Sequence, residues 1–228
     1  MKKTIVISLG GSLIMPEKMD FPFLEKFKKA LRKHYKTCKF VIICGGGTIA
    51  RKYMYVLEKG GRSKKELSLA GIRATRENAR IMMQFIGKEA NDSLPLNMQA
   101  IKNNLSKNAV VFCGALRFTK NSTSDTTAAK IAHFFNTSFI NLTNVNGLYT
   151  ADPKKNKNAK FIPKISWKDF ESIALKIKHK PGQHFVLDQQ AAVIIKKHKI
   201  PTYIIGKNLS NLEKILKNKS FQGTLIKG

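Results

Sequence analysis

The chain has 228 residues, 43% hydrophobic and 9% aromatic, and carries 42 Lys and Arg against 14 Asp and Glu, a net charge of +28. That composition excludes a disordered chain, and no apolar run approaches the roughly 20 residues of a membrane-spanning helix. The length suits one large α/β domain or two small ones. The charge is mostly lysine spread along the chain, with Lys26, Lys28, Lys29, Arg32, Lys33, Lys36 and Lys39 alternating with apolar positions. Such runs read as solvated helix faces. No nucleic-acid-binding signature accompanies them, so nucleic acid is not expected as the main partner. An anionic substrate fits the charge equally well.

Taken in order, Thr4–Leu9 alternates and is β-branched, which predicts a first strand. Its opening resembles a signal peptide for a few residues, but the apolar stretch stops at Gly10-Gly11, which points to a cytoplasmic protein. Phe23 to Tyr35 has the spacing of an amphipathic helix. Val41–Cys44 is a short apolar strand, followed at once by Gly45-Gly46-Gly47 and a helix from Thr48 whose apolar face is Ile49, Tyr53, Met54 and Leu57. A strand that turns through glycines into a helix presents backbone amides and the positive end of a helix dipole to an anion. Arg51, one turn in, can fork onto phosphate oxygens. The plainer alternative is a tight turn with a solvated Arg.

A long helix is predicted over Lys64 to Lys88 and a short one over Leu94–Leu105. Ala109–Cys113 is a strand, Gly114 to Ser124 a loop, Asp125–Phe135 a helix and Ser138–Thr143 a strand. Asn144–Asp152 is turn-rich. Trp167–Ile177 is a helix with Ser166 as N-cap. Val186–His198 is a helix, Thr202–Ile205 a strand and Asn211–Lys217 a last helix. Alternating strands and helices predict an α/β fold with an open, mostly parallel sheet covered on both faces. Ligands of such sheets bind beyond the carboxyl ends of the strands. Gly10-Gly11, Gly45 to Gly47, Gly114 and Thr143-Asn144 all follow predicted strands and would converge on one edge. Cys38, Cys44 and Cys113 form no C-x-x-C pair. Cys38 and Cys44, on one strand, would lie about 20 Å apart, so reduced buried thiols are expected.

A Walker A loop is absent. Gly45-x-Gly47-x-x-Ala50 satisfies a dinucleotide-binding pattern, but on the second strand, and the acidic residue expected downstream could only be Glu66, within a helix. Ser122 to Ala129 places Ser, Thr and Asp at a helix start. It reads either as a cap or as a phosphate grip in which hydroxyls and amides hold oxygens while Asp125 orients a lysine or a metal-bound phosphate. Leu142 to Pro153 reads as an Asn-Gly turn and edge strand, though it is long and idiosyncratic for one.

These pieces together resemble the amino acid kinase superfamily. The resemblance is carried by Gly10-Gly11-Ser12, by Gly45 to Gly47 with Ala50-Arg51-Lys52-Tyr53, and by Gly71-Ile72 with Thr75-Arg76-x-Asn78-Ala79. The Ser/Thr-Asp run at 122–129, Thr143 to Pro153, Val186-x-Asp188 with Ala191-Ala192, Ile204-x-Gly206 and Gly223-Thr224-x-Ile226 complete it. Order and spacing are most similar to its archaeal uridylate (UMP) kinase branch.

The resemblance implies an α/β/α sandwich that moves a phosphoryl group from ATP to UMP in pyrimidine nucleotide biosynthesis, with Mg²⁺ carried by ATP. It implies one domain over 1–228, an acceptor-binding half over about 1–135 and an ATP-binding half over about 136–228, in a homo-oligomer that is hexameric in relatives. Asp125 and Arg51 are the implied catalytic residues. Gly45, Gly46, Gly47, Arg51, Ser68, Thr123 and Ser124 are implied for the acceptor, and Gly10, Gly11, Ser12, Thr143, Asn144, Tyr149 and Asp152 for ATP; no protein metal ligand is implied.

The chain departs from the family pattern at Ser8, a lysine in many members, and at Ser68, an Asp that grips the ribose in relatives. It departs also at Asn146, at Cys113-Gly114-Ala115 with its long following loop, and at Phe185, a lysine in other branches. Glu66, Arg73 and Arg117 are the residues that could stand in for the missing ribose ligand. The departures leave open a kinase for another small phosphate or carboxylate acceptor, and a non-catalytic nucleotide sensor or basic nucleic-acid binder.

Overall fold

The computed structural model describes residues 2–118, 122–153, 156–176 and 186–228. In chain order its elements are β1 (Lys3–Leu9), α1 (Gly11–Ile14), α2 (Phe21–Arg32), β2 (Cys38–Cys44), α3 (Gly47–Lys59), α4 (Lys64–Ile86), α5 (Met98–Lys107) and β3 (Val110–Cys113). Then come α6 (Ser124–Phe134), β4 (Phe139–Leu142), β5 (Leu148–Tyr149), β6 (Phe161–Ile162), β7 (Lys164–Ile165), α7 (Trp167–Lys176), α8 (Gln189–Lys197), β8 (Thr202–Ile205), α9 (Leu209–Leu216) and β9 (Thr224–Ile226).

Seven strands form one sheet in the order β3-β2-β1-β4-β8-β9-β7. All neighbours run parallel except β8 and β9. Parallel strands need both faces buried, which is why they read as unbroken Val and Ile runs. On one face Ile5, Ile7, Phe40, Ile42 and Phe112 pack under α2, α4 and α9 through Phe27, Leu31, Met82 and Leu212. On the other, Val6, Val41, Val111, Phe139 and Ile204 pack under α5, α6, α7 and α8 through Ile101, Ile131, Phe170 and Ile195. Each such side chain, fully buried, contributes about 1.5–3 kcal/mol. The expected helix-covered parallel sheet is therefore present. Cys38, Cys44 and Cys113 are buried free thiols, as expected.

The apolar face expected on α3 is partly covered: Ile49, Met54 and Leu57 are half-buried and Tyr53 is exposed. Two helix starts need correction. The helix expected from Val186 starts only at Gln189, because the Asp188 side chain caps it by accepting from Ala191 N. The helix expected from Leu94 starts at Met98, where Asn97 caps it and Pro95 stands just before. The Ser166 cap is as expected: Asp169 N donates to Ser166 Oγ at 3.1 Å. The turn-rich 144–152 segment contributes β5, which pairs antiparallel with β6 outside the main sheet. The expected end of the 167–177 helix, and Phe185, lie outside the described residues. No helix among the described residues is long and apolar enough to cross a membrane.

Candidate active site

Three neighbouring strands of the sheet end in one place. Gly10 N donates to Leu142 O at 2.9 Å, Gly45 N to Leu9 O at 2.8 Å and Thr143 N to Ile205 O at 2.9 Å, so the ladder runs to the last residue of β1, β2 and β4. Beyond it the turns of β1 and β2 touch backbone to backbone. A Cβ on Gly11 would lie 2.2 Å from Gly47 N. Gly47 has φ +61°, and a Cβ there would lie 2.5 Å from the Gly11 carbonyl carbon. Only glycine fits either position.

Residues of α4 hold this arrangement from behind. The buried Asn78 donates through Nδ2 to Gly45 O at 2.7 Å. Thr75 Oγ1 donates to Ile72 O and accepts from Ala115 N at 2.9 Å. Arg76 donates to the carbonyls of Ala115 and Leu116 at 3.1 and 2.7 Å. One helix thus fixes both the triglycine turn and the loop after β3.

The strand ends surround a cavity of about 270 Å³. Of the residues expected to form the site, Gly10, Gly11, Ser12, Gly45, Gly46, Gly47, Arg51, Ser68, Thr123, Ser124, Asp125 and Thr143 line it. Asn144, Tyr149 and Asp152 lie outside its wall; Tyr149 sits in β5 against Phe161, ring centroids 5.4 Å apart. Gly114 is also off the wall, packed against the backbone of Thr75 and Arg76. A larger groove of about 790 Å³, lined by Arg80, Lys88, Asn91 and Lys107 among others, borders none of the strand-end glycines.

The electrostatics of the cavity are uneven. At one side α3 opens on Gly46 with no side-chain cap and no acidic residue in its first turn. The other described helices of eight residues or more are all capped, by Asp20, Ser63, Asn97, Thr123, Ser166, Asp188 and Asn208. Next to that open end stands Arg51, half-buried, its Nη2 donating to Thr48 Oγ1 at 2.8 Å. Burial lowers its pKa, yet a guanidinium stays charged. Free amides, a helix dipole and a guanidinium together make an anion site.

At the other side are two carboxylates. Asp125 accepts from Ser8 Oγ at 2.7 Å. Its pKa is pushed up to about 7, first by burial and then by the charge of Asp188, with the Ser8 hydroxyl pulling the other way. Asp188 accepts from Thr123 N and Thr126 N at 3.1 Å each and from Thr123 Oγ1 and Thr126 Oγ1 at 2.5 and 2.6 Å. Ala191 N at 2.8 Å completes its shell. The Thr123 hydroxyl, expected to grip phosphate, is therefore engaged by Asp188.

Ser68 lines the cavity but turns its hydroxyl to Lys64 O at 2.9 Å. Of its three possible stand-ins, Arg117 lines the cavity, Arg73 is exposed elsewhere, and Glu66 caps α4 with Ser63. Sequence reasoning assigned no role to Ser8, Thr75, Asn78 or Asp188. The signal available for Asp188 was an Asp directly before a helical Gln-Gln-Ala-Ala run.

A uridylate kinase of Pyrococcus abyssi is 33% identical over 204 residues, covering 89% of this chain and 90% of its own. One of Thermoplasma acidophilum is 32% identical over 227 residues, covering 99% and 97%. The crystal structure of uridylate kinase from Archaeoglobus fulgidus superposes with a TM-score of 0.83 at 31% identity, over 99% of this chain and all of that one. That of UMP kinase from Bacillus anthracis has the same fold, with a TM-score of 0.79 at 19% identity over 99% and 96% of the two chains. The sequence profile of the amino acid kinase family matches residues 3–206, and the chain belongs to that family.

Proposed function

We propose that this chain is an ATP-dependent kinase that phosphorylates UMP to UDP. The observation that carries the reading is the uncapped start of α3, which opens into the cavity beside Arg51. The relatives named uridylate kinase supply the substrates. In this reading an oxygen of the UMP phosphate attacks the γ-phosphorus of ATP, a new O–P bond forms and the bond to the ADP oxygen breaks. Such transfer depends on in-line positioning and on donors aimed at the phosphoryl oxygens. Gly46, Gly47 and Arg51 hold the acceptor phosphate, and Gly45, its amide donating to Leu9 O, fixes the turn that presents them. Gly10, Gly11, Ser12 and Thr143 face the donor, with Asn144, Tyr149 and Asp152 on the loop beyond binding the rest of ATP. Asp125 stands between them and sets the polarity of the transfer point.

The chain divides in this reading into an acceptor half over about 1–135 and an ATP half over about 136–228. Mg²⁺ would come with ATP and supply charge neutralisation at the phosphates. The cavity offers hard oxygen donors such as Ser12 and Thr143 to a nucleotide-borne ion. A cytoplasmic homo-oligomer, hexameric by resemblance, belongs to the same reading.

A second reading, a kinase of another small phosphate or carboxylate acceptor, is favoured by the acceptor end of the cavity. Ser68 has turned away, and its neighbours there, Met54, Gly71, Ile72, Arg117 and Phe118, offer no carboxylate to a ribose. ADP release from Mg-ATP, with UMP, CMP, dUMP, AMP and no acceptor in parallel, separates the two. UMP-dependent release is expected. Silence with UMP but release with another acceptor selects the second reading. No turnover at all, with RNA affinity falling steeply in salt, would leave a binding protein.

A further inference from the structure

Every side-chain cap described above serves its own helix, except one. Asp188 accepts from Ala191 N at the start of α8 and from Thr123 N and Thr126 N at the start of α6. The hydroxyls of Thr123 and Thr126 bring its accepted bonds to five. One carboxylate thus completes two helix N-termini, with the positive ends of both dipoles aimed at it. Charge-assisted bonds of this kind are short and strong, and five on one group leave it little freedom.

Two consequences follow from the position of that carboxylate. The opening turn of α6 already holds its anion, so the amides of Thr123 and Thr126 are not available to a substrate phosphate. And Asp125 lies between the two threonines that Asp188 grips, so the direction of the Asp125 carboxyl, toward Ser8 on β1, is set by the clasp. Asp188 also lines the cavity, unlike the caps of α2, α5 and α9.

We infer that Asp188 is a positioning residue for phosphoryl transfer, which ties α6 to α8 and so holds Asp125 at the transfer point. The inference rests on the kinase reading above. The groups that face the Asp125 carboxyl are the Ser8 hydroxyl from β1 and the Asp188 carboxylate from the start of α8. Removing the Asp188 charge therefore lowers the pKa of Asp125.

The test compares Asp188→Asn with Asn97→Ala, which removes the cap of α5 far from the cavity, in the UMP-dependent ADP-release assay across pH. Asp188→Asn is expected to lower kcat by about tenfold or more, to change KM for ATP and UMP by less than about threefold, and to move the pH dependence of kcat to lower pH. Asn97→Ala is expected to lose stability and keep its kcat. Wild-type kcat and an unshifted pH profile in Asp188→Asn, with only a lower Tm, would overturn the inference. If Asp188→Asn does not fold, Thr126→Val removes one hydroxyl bond to the clasp and Thr126→Ser restores it. A kcat about threefold lower in Val than in Ser is expected, and equal rates would overturn the inference. A wild-type protein silent with UMP sinks the kinase reading and this inference with it. An active wild type with unaffected variants sinks the inference alone.

Discussion

Asp125→Asn should stop most turnover and make the protein more stable, and the gain should grow with pH. The folded chain keeps the proton on Asp125 up to about pH 7, whereas an unfolded Asp releases it near 3.8. Between these values the unfolded state ionises first, so rising pH draws the equilibrium toward unfolding until the folded carboxyl ionises too. Moving a carboxyl over that interval corresponds to about 4 kcal/mol against the charged form. Asp125 keeps partial access to water, so roughly 2 kcal/mol is the expected gain for Asn at pH 8, falling to less than half of that by pH 5. Asn retains a carbonyl oxygen for the Ser8 hydroxyl, so the hydrogen bond itself is kept. Urea unfolding of both proteins from pH 5 to 8.5 without nucleotide measures the difference, in which all other titrating groups cancel. A difference independent of pH, or a destabilised variant, would refute the argument. ADP release should meanwhile drop at least about tenfold.

Arg51→Ala should lower kcat/KM for UMP at least about tenfold, or ~1.4 kcal/mol, with KM for ATP changed less, in steady-state assays varying each substrate. Unchanged kcat/KM would remove Arg51 from the acceptor site. Asn78→Ala leaves the buried carbonyl of Gly45 without its side-chain donor, while Gly46 O keeps Ala50 N. It should cost about 1–3 kcal/mol in thermal unfolding and raise KM for UMP. Gly11→Ala forces a Cβ to 2.2 Å from Gly47 N. The variant should be insoluble or lose more than about 3 kcal/mol, and a soluble, active protein would show that the two turns can part.

Much of the fold was legible because its strands are buried on both faces, so β1, β2, β3, β4 and β8 read directly as short, largely apolar runs. The strand-end glycines were legible for a related reason: two backbones in contact tolerate no side chain. What stayed hidden depends on contacts distant in the chain. The apolar spacing of α3 reports a helix but not what covers it, and among the described residues Tyr53 and Tyr55 are left exposed. Asp188 stood inside the helix expected from Val186, and its partners Thr123 and Thr126 come from a separate helix. The Ser8–Asp125 bond likewise joins positions 117 residues apart. The strands β5, β6, β7 and β9, two or three residues each, are too short to show a period.

β1 is the earliest strand in the chain and lies between β2 and β4. As the chain leaves the ribosome, β1 can pair with β2 early, but its other edge stays open until Phe139–Leu142 emerges, and β4 in turn waits for β8. A growing chain therefore carries an unpaired apolar strand edge from β2 until β4 emerges, the kind of surface that invites association with a neighbouring copy. Translation rate and chaperone supply should accordingly govern the yield of folded protein more than the stability of the finished molecule does.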